Sequence, residues 1–260
     1  MDKIYIIKIG GNIIDDEKKL SSFLQSFSVI EGRKILVHGG GKLATAVAES
    51  MGIPQQITDG RRITDAETLK VITMVYAGFI NKNIVAKLQA NNCNVLGLTG
   101  ADGNLISAHK RKNGAVDYGY VGDIDEINTE LITELLQERY SLVIAPVTHD
   151  GNGNLLNTNA DTVAQEIAKA LCTNFEVSLI YCFEKNGVLL NVNDNDTLID
   201  QIDHTGFEQL KNDKKISAGM IPKLHNAFNA LDAGVHNVLI GHANNISELI
   251  INRSGTAIIK

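Results

Sequence analysis

The chain has little that would mark it as extracellular, membrane-bound or nucleic-acid-binding. Its 260 residues include three cysteines, Cys93, Cys172 and Cys182, with no C-x-x-C spacing. These are read as core thiols of a reducing cytoplasm rather than a disulfide frame or a zinc site. Apolar runs are strand-sized and stop far short of the roughly 20 residues that span a bilayer. One such run begins at Ile4, so no signal or transit peptide is expected ahead of it. Basic charge is not in excess: 24 Lys and Arg stand against 30 Asp and Glu, a net −6, and the basic residues are scattered. Nucleic acid is therefore not expected as the main partner. No internal repeat or low-complexity tract is present. No G-x-x-x-x-G-K-[ST] occurs either, which excludes a P-loop.

What remains is an ordinary soluble composition, 44% hydrophobic and 21% charged, organised as alternating strands and helices. Strands are expected at 4–9, 35–37, 95–98, 142–147, 177–183, 238–240 and 257–259. Most are continuous apolar runs, which suit strands covered on both faces of a mainly parallel sheet. Helical spacing lies between them, and the alternation predicts a doubly wound α/β fold. After T-D-A-E at Thr64, a capping-box pattern ending on Glu67, a long helix follows through Leu88. Its apolar residues spread around much of the circumference, which fits a subunit interface or a helix buried inside the monomer. Residues 105–127 break the rhythm, and Asn113-Gly114 there predicts a hairpin turn.

Four clusters carry possible chemistry. Lys8-Ile9-Gly10-Gly11 places an ammonium and two glycines at a strand end. Glycines let backbone amides approach an anion, although a lysine can also snorkel from a strand end. His38-Gly39-Gly40-Gly41-Lys42 runs from a buried strand into a helix. A glycine turn at a helix N-terminus is a ready anion site, and it also fits a degenerate G-x-G-x-x-A dinucleotide pattern. His38 is read as shaping the turn. Asn157, Asn159 and Asp161 crowd the entry of a third helix. One of them can serve as a cap; the others are free for a ligand. Finally, Pro222 suits a helix's first turn and puts Lys223 beside it, where a cation opposes the macrodipole unless something negative is near. Two distant lysines, two glycine turns and an aspartate suit phosphoryl transfer, which needs positioning and charge neutralisation more than covalent help.

KIGG, HGGGK, GRRIT, NTNAD and SAGMIPK occur here in the order seen in the amino acid kinase superfamily, and nearly the whole chain resembles its N-acetylglutamate kinase branch. GLTGADGNLI and GYVGDI resemble that branch as well. The resemblance implies an open, mainly parallel sheet sandwiched between helices, with two lobes. Residues 1–173 would bind the N-acylglutamate and dimerise; residues 174–260 would bind the nucleotide. The implied reaction is phosphorylation of the γ-carboxylate of N-acetyl-L-glutamate by ATP, the second step of arginine biosynthesis, in the cytoplasm.

By this resemblance Lys8 and Lys223 neutralise the moving phosphoryl group and Asp161 orients both. Gly10, Gly11 and Gly40 would serve the phosphates through backbone amides. Gly40 and Gly41 would border the acylated substrate, Arg62 would grip its carboxylate as a bidentate fork, and Asn157 would touch it. Arg61 would be a spectator. The nucleotide would lie against Glu184, Lys185, Asn186, Gly187, Val188 and Leu189, and against Lys215, Ile216 and Ser217. Magnesium would be held largely by the ATP phosphates and water, with no protein metal site. NDNDT, from Asn193, lacks the glycine and terminal glutamate of a calcium loop and is read as a turn. One departure is clear: the family usually has Asp-Val where Glu184 and Lys185 stand.

The extra N-terminal helix that links arginine-inhibited members into hexamers has no counterpart before Ile4, so a homodimer without arginine feedback is expected. Other readings are kept in view. They are phosphorylation of another acid (an N-succinyl-L-glutamate, free glutamate, carbamate, aspartate or UMP), a non-catalytic acylglutamate sensor, and a nicotinamide oxidoreductase. The last would need an acid such as Asp59 at a strand end. Acyl preference is expected to depend on residues 118–121.

Overall fold

The computed structural model describes residues 1–58, 61–112, 116–217 and 219–260, with Arg61 described by its backbone alone. Asn113-Gly114, Asp59 and the Arg61 side chain lie outside the described residues.

The strand Lys3–Ile9 shows how the fold is built. Its side chains alternate between faces. Ile4 and Ile6 enter one apolar core, while Ile7 and Ile9 enter the other. Both faces are covered, so the strand reads as a continuous apolar run. Among the described residues, eight strands form one sheet. In spatial order they are Gln201–Ile202, Thr256–Ile258, Asn237–His242, Glu176–Phe183, Lys3–Ile9, Arg33–His38, Ser141–Ile144 and Val95–Leu98. Neighbours pair in parallel except Asn237–His242 with Thr256–Ile258. The helices Ala160–Leu171 and Ile221–Asp232 pack against the face of Ile4 and Ile6. Glu17–Ser28, Gly41–Ser50 and the chain from Ala66 to Ala90 pack against the other. This is the expected open, mainly parallel sheet between helices.

Three local expectations need correction. The strand expected over 142–147 is two strands: Ser141–Ile144 ends in the large sheet, and Val147–His149 joins a second sheet. Pro146 lies at the break and has no N–H for a ladder. The cap of the long helix is Asp65, whose carboxylate accepts from the Thr68 amide at 2.7 Å; Thr64 instead donates to the Arg62 carbonyl at 3.1 Å. Finally, Thr73–Ile80 within that helix is π-helical. It buries Val75, Tyr76 and Ile80, as the reading of a helix packed inside the monomer expects, and exposes Met74 and Phe79.

The region 105–127 does contain an antiparallel pair, Ile106–Lys110 with Gly122–Ile127. Leu155–Asn157 and Val147–His149 extend it to a four-stranded sheet that roofs the carboxyl ends of the large sheet's strands. Gly119 lets this layer dock. A Cβ there would lie 2.2 Å from the Thr64 carbonyl oxygen, and its φ of +69° disfavours other residues.

Candidate active site

In an open parallel sheet, ligands bind beyond the carboxyl ends of the strands. Lys8 sits there by parity: it follows Ile4 and Ile6 on the face that carries the helix Ala160–Leu171. Asp161 is in that helix's first turn, behind the cap Asn159, whose side chain accepts from the Thr162 amide at 3.1 Å. The Lys8 Nζ lies 2.5 Å from Asp161 Oδ1, and the Lys223 Nζ lies 3.0 Å from Oδ2. Lys8 and Asp161 are only 6% and 7% exposed. Burial pushes the Asp161 carboxyl up, but the two ammoniums outweigh it and hold it at about 2. The trio therefore carries one net positive charge at neutral pH. Asp161 is also the negative partner that a lysine in a first helical turn requires.

These groups line a cavity of about 440 Å³. Gly11, Gly40, Gly41, Arg62, Asn157 and Asp161 line it together with both lysines; Gly10 lies just outside, its Cβ position 4.0 Å from Lys8 Nζ. The helices Gly41–Ser50, Ala160–Leu171 and Ile221–Asp232 all begin here, so three N-terminal dipoles favour an anion. Gly40 has φ +148°, and a Cβ would meet Ile80 Cδ1 at 2.2 Å and the Tyr76 ring at 3.2 Å. The π-helical segment thus packs directly on the glycine turn. His38 is fully buried beneath it, and burial pushes its pKa down to about 4. The neutral ring places Nδ1 at 2.8 Å from the Gly39 carbonyl and Nε2 at 3.3 Å from Asn81 Nδ2. A proton on Nδ1, with Nε2 accepting, satisfies both contacts, and His38 shapes the turn as the sequence suggests.

Arg62 donates from Nη2 to the Gly41 carbonyl and to Thr45 Oγ1, both at 2.8 Å, and from Nη1 to Gln55. Asn157 donates to Thr64 Oγ1 at 3.0 Å. A second groove, of about 370 Å³, is lined by Lys185, Gly187, Val188, Leu189, Lys215, Ile216 and Ser217. Met220 also lines it, three residues ahead of Lys223 in the cavity. Asn186 is not among its lining residues. Glu184 turns away: Lys19 Nζ lies 2.5 Å from it, and Asn12 donates to it at 2.7 Å. Asn193–Thr197 is a turn closed by Asp194.

Several residues in or beside the cavity have no motif. Arg111 sits in the roof, bonded to Asp123 through Nε at 3.0 Å and through Nη2, while its buried Nη1 has no hydrogen-bond partner. Thr45 and Gln55 fix Arg62, and Phe183 lies under both lysines. Only parity could have revealed Phe183, which is two residues beyond Tyr181 on the face that Lys8 shares.

Residues 3–242 match the Amino acid kinase family, and the chain belongs to that family. Within it, the chain is 56% identical to the "Acetylglutamate kinase" of Cytophaga hutchinsonii, over 96% of this chain and 95% of that one. It is 52% identical to the protein of that name from Bacteroides thetaiotaomicron, over 100% and 99%. A solved Streptococcus mutans structure, 28% identical, covers 99% of this chain and 98% of its own with a TM-score of 0.78. Among the described residues no helix is long and apolar enough to cross a membrane.

Proposed function

We propose that this chain is the kinase of the second step of arginine biosynthesis, transferring the γ-phosphoryl group of ATP to the γ-carboxylate of N-acetyl-L-glutamate. The observation that carries this is the Lys8–Asp161–Lys223 cluster on the cavity wall, one helical turn from the second groove. An acid in the cavity and a triphosphate in the groove would meet at the two ammoniums. Lys8 and Lys223 would neutralise the moving phosphoryl group, Asp161 would hold both in place, and the amides of Gly11 and Gly40 would bind its oxygens. Asp161, the carboxylate among the described lining residues, is already engaged by both lysines. Mg2+ would therefore be held by the nucleotide phosphates and water, where it supplies charge neutralisation. Residues 1–173 would hold the acid and residues 174–260 the nucleotide; the described lining of the groove comes entirely from the latter. The free thiols Cys93, Cys172 and Cys182 suit a reducing cytoplasm.

ADP release with MgATP and a panel of acids tests this. Turnover is expected on an N-acylglutamate and not on free glutamate, aspartate, carbamate or UMP. Binding of the acylglutamate without any turnover would instead make the chain a sensor.

A second reading, the same transfer to an N-acylglutamate with a carboxylate on its acyl arm, as in N-succinyl-L-glutamate, is favoured by Arg111 and its unpartnered Nη1. On this reading Arg111→Met lowers kcat/KM for the succinyl substrate about 10- to 100-fold, the worth of a hydrogen bond to a charged group, and leaves the acetyl substrate little changed. Equal losses on both substrates would remove it.

We also propose a homodimer that covers Phe79 and Met74, which are 62% and 52% exposed. Light scattering is expected to give twice the 28.2 kDa chain mass, and Phe79→Glu is expected to give monomers. A hexamer would contradict this.

A further inference from the structure

Two like charges beside one carboxylate leave a physical problem. Asp161 offers one negative charge to Lys8 and Lys223, which repel each other. A second carboxylate would solve the repulsion but would also occupy the ammonium protons that a phosphoryl group needs. The structure supplies a different partner. Phe183 ends the strand Glu176–Phe183, and its ring centroid lies 5.7 Å from Lys8 Nζ and 5.1 Å from Lys223 Nζ. Both distances fall within the roughly 6 Å at which a ring face attracts a cation. The ring is half-buried against the apolar core that contains Tyr181, Leu224 and Phe228, so its position is fixed by packing. The strand and the helix Ile221–Asp232 share that core, which brings the ring and both ammoniums together.

We infer that Phe183 is a positioning residue for the phosphoryl-transfer cluster. Its negative π face holds both lysines by charge yet offers no hydrogen-bond acceptor to displace. The N–H groups not taken by Asp161 stay available for an incoming anion. The inference rests on the kinase reading for its effect on rate but not for its effect on the lysines themselves.

Fluorination separates charge from shape, because it drains the π face while leaving the ring in place. Mono-, di- and trifluorophenylalanine at position 183 are expected to lower kcat stepwise, to about tenfold at the trifluoro ring. KM for the acylglutamate should change less than about twofold, since Phe183 does not line the cavity. Phe183→Leu should lose at least as much as the trifluoro ring, and Phe183→Tyr should restore most of the rate. A flat kcat across the fluorinated series, with Phe183→Leu still impaired, would reduce the ring to packing and overturn the inference. A second readout is independent of turnover. In the wild type, the ε-methylene protons of Lys8 and Lys223 are expected upfield through the ring current, and in Phe183→Leu at ordinary shifts. Unshifted lysine resonances in the wild type would overturn the inference even for an inactive protein, whereas shifted resonances without turnover would leave it standing and remove only the kinase reading.

Discussion

Replacing Lys8 with alanine is expected to lower kcat by about 10²–10³-fold, the usual cost of removing one group that stabilises developing charge in a closed site. The reason is geometric. Lys8 is held at the strand end by its backbone register, by Asp161 at 2.5 Å and by the Phe183 ring. Besides Lys223, the other cations of the cavity are Lys42, Arg62 and Arg111; Arg62 is tied to Gln55, Gly41 and Thr45, and Arg111 to Asp123. They do not sit on Asp161 and do not replace the missing charge. Lys8→Arg should not rescue the rate, because a planar guanidinium does not fit where an ammonium is 6% exposed. KM for the acid should move little, since Arg62 and Asn157 remain. The fold should survive, because Asp161 keeps Lys223 at 3.0 Å. Steady-state kinetics with a thermal melt checks this; a kcat within tenfold of wild type, with the melt unchanged, would refute the role given to Lys8.

Asp161→Ala is expected to cost both catalysis and stability. The carboxylate is the common anchor of two lysines, and its loss leaves Lys8 buried without a counter-charge. Removing one partner of a buried pair costs about 3–5 kcal/mol. For a chain of this size that corresponds to a fall in Tm of about 6–20 °C. The pH dependence gives an independent check. The Asp161 carboxyl is held at about 2 in the folded chain against an ordinary 3.8. A depressed carboxyl stabilises the fold above its unfolded pKa, and that stability is lost as pH falls through the folded value. Its share is about 2 kcal/mol, present above pH 4 and vanishing toward pH 2. Urea unfolding of the wild type should therefore lose about 2 kcal/mol more between pH 4 and pH 2 than Asp161→Asn does. Parallel curves for the two proteins would contradict the account.

The α/β class and the main strands were legible because a sheet covered on both faces leaves continuous apolar runs, as in 4–9 and 177–183. The strand break at Ala145–Pro146 was harder to see, since the residues on both sides are apolar and only the sheet they join differs. The π-helical turns at Thr73–Ile80 were hidden because apolar residues occur all round that segment, so the pattern shows no shift of period. Thr64 and Asp65 are both good caps, and the sequence could not show that Thr64 is occupied by Arg62 and Asn157. In the site, residues within motifs could be named in advance: Lys8, the glycine turns, Asp161 and Lys223. Arg111 and Phe183 belong to no motif, and their partners are distant in sequence; strand parity alone could have pointed to Phe183. Glu184 shows the opposite case. The sequence places it at the nucleotide strand end, but its side chain is captured by Lys19 and Asn12 from the first helices.

Hydroxylamine trapping tests the central claim most directly. Transfer to a γ-carboxylate makes an acyl phosphate, which hydroxylamine converts to a hydroxamate with release of phosphate. With MgATP and an N-acylglutamate, the wild-type chain is predicted to form hydroxamate in step with ADP, and Lys8→Ala is predicted to lose both together. ADP formed without hydroxamate, or hydroxamate formed equally well by Lys8→Ala, would contradict the account.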